Sequence, residues 1–241
     1  MGPLSLIVPG GRGPEAGKLR RKRPPVGWPA LVMTAFLALS CSRPMPNAII
    51  LCAGDSLTEE GYPRNLSRII RQEGFRARVL DFGRKGFNSG EYRRYLQSHR
   101  DRLASLRPDF ILLQLGTNDV RLDGDATSVE DFERNMKAII GLFREFRTRG
   151  GRIPILLLAA IPPVPEGSAF PFSPESSRRV RDEINPALKR IAEEGRLPLV
   201  DNFSLFLKSP GLLPGVHPSA EGYREMAANW YRRLKPYFQR G

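Results

Sequence analysis

Cysteine and histidine are scarce in this chain, two of each in 241 residues. That scarcity excludes a disulfide-stapled scaffold and leaves no zinc-type ligand set. A bridge between Cys41 and Cys52 would tie an N-terminal arm to an apolar, strand-like run, so no disulfide is expected. No metal or organic cofactor is implied. A long apolar run is also missing: the most hydrophobic stretch, VGWPALVMTAFLALSCS at 26–42, holds about a dozen mostly apolar residues and is too short and too poorly flanked to span a membrane. Acidic residues are the minority, 25 against 38 Lys or Arg, for a formal net charge of +13. The first 43 residues contain seven Lys or Arg and one Glu, so residues 44–241 carry only +7. In that remainder the basic residues are interspersed with acidic ones and lack interleaved aromatics, as on a solvated surface, and no nucleic-acid partner is expected.

What is present divides at about residue 43. Residues 1–19 form a Gly/Pro-rich extension with no apolar period, and RRKR at 20–23 precedes the apolar stretch, the order of a secretory signal. Cys41 after FLALS resembles a bacterial lipoprotein processing site, where the cysteine becomes the lipidated first residue, although Ala38 stands where Leu is usual. Residues 44–241 are then a single exported domain in the periplasm or cell envelope, with membrane attachment through Cys41 where that residue is lipidated. An apolar content of 41% suffices for a sizeable core.

From residue 47 onward, short apolar runs alternate with amphipathic stretches. AIILC (48–52), ARVLDF (77–82), DFILLQL (109–115), IPILLLAA (153–160) and LPLVD (197–201) read as strands, the third and fourth apolar on both faces. Helices are expected at 128–148, opened by a Thr127/Glu130 capping box, at 174–195 between Ser173-Pro174 and Gly195, and from about Ser219. Strands alternating with helices imply a three-layer α/β/α sandwich with a flavodoxin-like, five-stranded parallel sheet in the order 2-1-3-4-5. The longest irregular stretch, IPPVPEGSAFPFSP at 161–174, offers Phe170 and Phe172 as walls of an apolar pocket.

In such a sheet the turns after each strand's C-terminal end lie on one edge. GDSLT (54–58) follows the first strand, GRKGFNSG (83–90) the second, GTND (116–119) the third, and LPGVHPSAEGY (213–223) ends the connection after the fifth. Ser56, Gly86, Asn118 and His217 can therefore meet. A serine hydroxyl becomes a nucleophile when a neighbouring base takes its proton, and histidine suits that role. His99 lies in a charged, helix-like segment away from this edge, which leaves His217. Glycine lets a backbone N–H approach a ligand closely, and asparagine supplies a side-chain donor, the two means of holding an oxyanion. Asp55 belongs to the turn of Ser56 and reads as a structural residue of that turn.

The ordered set GDSLT, Gly86, GTND and VHPSAEGY resembles the SGNH hydrolases, the GDSL esterases and lipases, over about residues 47–235. The resemblance implies an α/β/α fold, Ser56 as nucleophile, His217 as base, and an oxyanion hole built from the Ser56 and Gly86 N–H groups and the Asn118 amide. It implies hydrolysis of a carboxylic ester of a small molecule or glycan; a short acyl group such as O-acetyl on carbohydrate is preferred because no separate lid domain is apparent, with a lysophospholipid or thioester as the alternative. One position departs: the family's aspartate three residues before the histidine is Pro214 here. Three readings stay open, namely a Ser-His dyad oriented by a backbone carbonyl near 213 or 214, a substitute carboxylate such as Asp201, or a catalytically impaired protein that binds glycan or lipid.

Overall fold

Each of the five apolar runs is a strand: β1 (Ala48–Gly54), β2 (Ala77–Gly83), β3 (Phe110–Gln114), β4 (Ile155–Ala160) and β5 (Leu199–Asp201). All pairings are parallel and the order is β2-β1-β3-β4-β5, as the alternation of elements predicts. The computed structural model describes residues 48–59, 61–124 and 127–239, so the expected export segment and Cys41 lie outside the described residues. Cys52 is a free, buried thiol, and burial pushes its pKa up.

Two-residue periodicity divides the strand side chains between two apolar layers. Leu51, Ala53, Ile111, Leu113, Leu156 and Leu158 face one layer, while Ile50, Cys52, Phe110, Leu112, Leu157 and Ala159 face the other. The second layer is closed by α1 (Tyr62–Gln72), whose Tyr62 ring stacks on Trp230 at 5.5 Å. The first is covered by α2 (Ser89–Ser98), α3 (Arg100–Ser105) and α4 (Val129–Arg144). Helix α4 starts one residue later than the expected box, because Ser128 rather than Thr127 caps it, accepting from the Asp131 N–H at 3.1 Å. The 174–195 helix is continuous in sequence but not in geometry: α5 (Pro174–Arg179) passes through a π-helical turn at Val180–Ile184 into α6 (Asn185–Gly195). Ser173 caps its start as expected. On the second layer, α7 (Asn202–Lys208) and α8 (Ala220–Phe238) complete the sandwich.

The strand ends are flush where it matters. Gly54 pairs with Gly83 on one side and Gln114 on the other, so the turns after β1, β2 and β3 leave the same edge together. The approach at Gly54 is extreme: a Cβ there would lie 1.9 Å from the Gln114 carbonyl oxygen and 2.5 Å from Thr58 Oγ1. Gly83 is equally confined, with the Glu59 N–H group in the way at 2.2 Å. Glycine at both positions is thus a packing requirement of the edge. Gly54→Ala should destabilise the fold by about 3 kcal/mol or more, the upper end of overpacking costs, because the obstacle is backbone and not a movable side chain. Chemical denaturation at pH 7 measures this directly; a loss below about 1 kcal/mol would contradict the stated approach.

Candidate active site

Hydrogen bonds from one residue shape the turn after β1. Asp55 is fully buried. Its N–H donates to the Gln114 carbonyl at 3.3 Å, and its own carbonyl accepts from the N–H groups of Thr58 and Glu59 at 3.1 and 3.0 Å. Its carboxylate accepts from the Leu57 N–H at 3.0 Å and reaches across to the Thr117 N–H at 3.4 Å. Burial pushes the Asp55 pKa up to about 6, against the lowering effect of those donors. Ser56 rides on this clamp, half-buried, and its Oγ lies 2.9 Å from His217 Nε2.

The second turn is tied to the first by the Arg84 N–H donating to the Gly54 carbonyl at 2.8 Å, and by the Glu59 carboxylate accepting from the Lys85 N–H. Gly86 has φ +82°, while a Cβ would meet nothing within 4 Å, so the backbone conformation rather than space favours glycine there. The third turn meets the second through Asn118, whose Nδ2 donates to the Phe87 carbonyl at 3.0 Å. Beneath them Asp119 is buried and accepts from the Ser89 N–H and, at 2.6 Å, from the Ser89 hydroxyl. Asn135 Nδ2 donates to that same hydroxyl, and Arg179 donates to the Asp119 carbonyl. Burial raises the Asp119 pKa. These ties place Asn118 against the residue next to Gly86. Neither Asn118 nor Gly86 hydrogen-bonds Ser56 directly. Among the described residues, the N–H groups of Ser56 and Gly86 meet no acceptor.

His217 is only partly covered, in the turn before α8. The Ser219 N–H donates to the Leu212 carbonyl at 2.9 Å, the Ser219 hydroxyl caps α8, and a Cβ on Gly222 would come within 2.4 Å of that same carbonyl, so backbone contacts hold the turn. Among the described residues, nothing accepts from His217 Nδ1. The carbonyls of residues 213 and 214 do not serve it, and neither does a carboxylate. Asp201 instead caps α7, accepting from the Ser204 N–H at 2.8 Å. Burial, with the positive charge of Lys85 as a second cause, lowers the His217 pKa below the ordinary histidine value. His99 stands elsewhere, at the break between α2 and α3, its Nδ1 2.9 Å from the Tyr95 carbonyl.

Beside His217 lies a cavity of about 310 Å³, lined by Ser168–Phe172 and Gly215–Val216. Phe172 is half-buried against the core and Phe170 is 77% exposed, so the 161–174 loop does bring its aromatics to a pocket. Sequence reasoning missed Lys85, Glu59 and the Asp119–Ser89–Asn135 network. Lys85 stands inside GRKG, one residue before Gly86, but only three-dimensional proximity to His217 gives its charge a role. Among the described residues, no three His, Cys, Asp or Glu side chains gather as metal ligands.

The sequence profile of the GDSL-like Lipase/Acylhydrolase family matches residues 52–225. Among characterised proteins, the chain is similar to a multidomain esterase from Ruminococcus flavefaciens, 25% identical over 235 residues covering 79% of this chain and 29% of that one. It is also similar to an acetylxylan esterase from Xylanibacter ruminicola, 27% identical over 220 residues covering 78% and 43%. The chain thus spans less than half the length of either relative. A solved acetylxylan esterase from Geobacillus stearothermophilus superposes with a TM-score of 0.62 at 20% identity, covering 78% of this chain and 94% of that one, a likeness of fold.

The electrostatics at His217 can be read by titration. Replacing Lys85 with Met removes a charge that disfavours the imidazolium, so the His217 midpoint followed by imidazole NMR should rise toward the ordinary histidine value. An unchanged or lower midpoint would show that Lys85 does not act on the ring.

Proposed function

The chain belongs to the GDSL-like lipase/acylhydrolase family, the SGNH hydrolases, and from that premise we propose that it is a serine ester hydrolase removing a short acyl group, such as O-acetyl, from carbohydrate. The observation that carries the reading is the 2.9 Å contact between Ser56 Oγ and His217 Nε2 at the C-terminal edge of the sheet. On this reading Ser56 Oγ attacks the ester carbonyl while its proton passes to His217 Nε2. The tetrahedral oxyanion accepts from the Ser56 and Gly86 N–H groups, which have no protein acceptor among the described residues, and from the Asn118 amide. Asn118 keeps one Nδ2 hydrogen for that purpose while the other holds the Phe87 carbonyl. Collapse expels the alcohol, protonated by His217, and leaves an acyl-enzyme. Water, deprotonated by the same imidazole, then releases the acid. The cavity of about 310 Å³ beside His217 suits a small group, and the name of one characterised relative, the acetylxylan esterase, favours an acetylated glycan over a lysophospholipid or thioester. We further propose that residues 1–43 export the domain and that Cys41 anchors it; among the described residues no helix is long and apolar enough to cross a membrane.

Hydrolysis of a chromogenic acetyl ester tests the reading. Ser56→Ala and His217→Ala should each lower kcat/KM roughly a thousandfold or more, with the double variant little worse than either single one because the two groups act as a unit. Acetylated xylo-oligosaccharide should be preferred to long-chain and thioester substrates. Retention of the wild-type rate in Ser56→Ala would sink the assignment.

A second reading rests on His217 Nδ1, which lacks an acceptor: a catalytically impaired protein that binds glycan or lipid. The substitution Pro214→Asp separates the two. Where an orienting carboxylate is what turnover lacks, kcat should rise by about tenfold or more, a fraction of the roughly four orders of magnitude that such a carboxylate is worth in other serine hydrolases. A carboxylate beside the ring also favours the imidazolium, so the acidic limb of the pH–rate profile should move to higher pH. A wild-type protein that turns over freely and gains nothing from Pro214→Asp favours the unaided dyad.

A further inference from the structure

The fold gathers arginines that are separated along the sequence. Strand β2 is the edge of the sheet, paired only with β1. Along its seam with α1 run two adjoining cavities of about 670 and 910 Å³ that share Ser67, Arg71 and Val79. Their walls carry Arg64, Arg68 and Arg71 from α1, Arg76 and Arg78 at the edge strand, and Arg149 from the α4–β4 connection. All six are exposed. Among the described residues, Asp81 is the one carboxylate lining either cavity, and Arg149 lies 3.8 Å from the Asp109 carboxylate. Among the described residues, Arg64, Arg71, Arg76 and Arg78 form no ion pair. Much of the excess charge of residues 44–241 therefore lies along one groove, opposite in character to a scattered, self-compensated surface.

Edge protection explains part of this. Charged side chains on an edge strand prevent pairing with another sheet, which accounts for Arg76 and Arg78. It does not account for three arginines at i, i+4 and i+7 on the facing helix, nor for Arg149. The shape then selects among anionic partners. Arg76 and the first five residues of β2, 77–81, give the groove a length of about 17 Å, and arginines of both α1 and the edge strand line it. A bilayer surface is planar and cannot reach both walls of a groove. Single-stranded nucleic acid is held by aromatic side chains on which bases stack, and the groove offers one aromatic, Phe75. A linear polymer carrying carboxylates fits both observations, because arginine pairs with carboxylate through two parallel hydrogen bonds.

We propose that the seam between α1 and β2 binds an anionic polysaccharide chain through these arginines. The groove runs toward the strand ends that bear Gly83 and Lys85, so a bound chain extends toward the edge that holds Ser56. The binding claim stands apart from the ester-hydrolase reading; only the consequence for substrate choice rests on it.

Binding of the full chain to polygalacturonate, measured by calorimetry against the fully methyl-esterified polymer, tests the proposal. The wild-type protein should bind the acidic polymer, release it as salt is raised, and ignore the neutral one. The triple variant R71Q/R76Q/R78Q should bind it roughly tenfold more weakly or worse, as expected for the loss of three exposed charge pairs. Its hydrolysis of a small chromogenic acetyl ester should be unchanged, which also shows that it is folded. Where the triple variant fails to fold, single R71Q and R78Q variants carry the test, each with a smaller loss. The proposal is overturned if the variants bind as well as wild type, if the neutral polymer binds equally, or if a thymidine oligonucleotide or anionic phosphatidylglycerol vesicles are held more tightly than polygalacturonate. On acetylated polygalacturonate the triple variant should raise KM and leave kcat alone. Binding without any hydrolysis would refute the esterase reading and leave the groove standing.

Discussion

A buried carboxylate organises the sheet edge that holds Ser56. Asp55 accepts hydrogen bonds from the turn that follows β1 and from the turn that follows β3, and its backbone N–H closes onto Gln114. Two N–H donors do not offset complete burial, since its pKa is still pushed up to about 6. Such a group stays in the interior because removing it would strand buried donors, at a cost of about 1–3 kcal/mol for each. The clamp can form only because Gly54 lets β1 end in contact with the Gln114 carbonyl, where any side chain would collide. Ser56 thus owes its position to its two neighbours in sequence, a glycine that permits the approach and an aspartate that locks it.

The same logic repeats one layer further out. Asp119 does for the second and third turns what Asp55 does for the first and third, drawing Ser89 and thereby the start of α2 toward GTND. The two acids are neighbours of the residues read as chemical, one residue before Ser56 and one after Asn118, and neither touches His217. Motifs of this kind therefore mix two jobs. On the reading proposed above, alternate positions do chemistry and fix backbone, and fully buried carboxylates mark the second kind.

Much of this was legible in the sequence. The strands, their order and the edge on which the turns collect follow from alternation of apolar runs with amphipathic stretches, and pairing Ser56 with His217 follows from that edge and the scarcity of histidine. Three things were not legible. Helices α2 and α3 are short and mostly polar, so the sequence shows only a charged, helix-like segment around His99 and not two helices broken there. The π-turn inside 174–195 leaves the apolar stripe nearly intact while changing geometry. The arginine groove is assembled from a helix, a strand and a distant connection, so a count along the chain reads its charges as interspersed. Patterns carried within one element survive in sequence, whereas clusters that need several elements at once appear only after folding.

His217 is where these levels meet. In a Ser-His-Asp triad the acid fixes the ring and stabilises the imidazolium, raising the appetite of the base for the serine proton. Here Pro214 withdraws that carboxylate and Lys85 adds a charge of the opposite sign, and both changes act in one direction, against the imidazolium. A weaker base takes the serine proton less readily, yet the imidazolium it forms is a stronger acid toward the departing alcohol oxygen. On the reading proposed above, the balance shifts from activating the nucleophile toward protonating the leaving group. That shift is best tolerated where expulsion of a poor leaving group such as a sugar alkoxide limits the rate, and least where the leaving group departs unaided. The backbone fixes the turn from which His217 projects, through the Leu212–Ser219 hydrogen bond and the Gly222 contact, and the ring itself is met by Ser56 Oγ. With its turn held and its second nitrogen unserved, the imidazole has its place set by the chain and its basicity set by burial and Lys85.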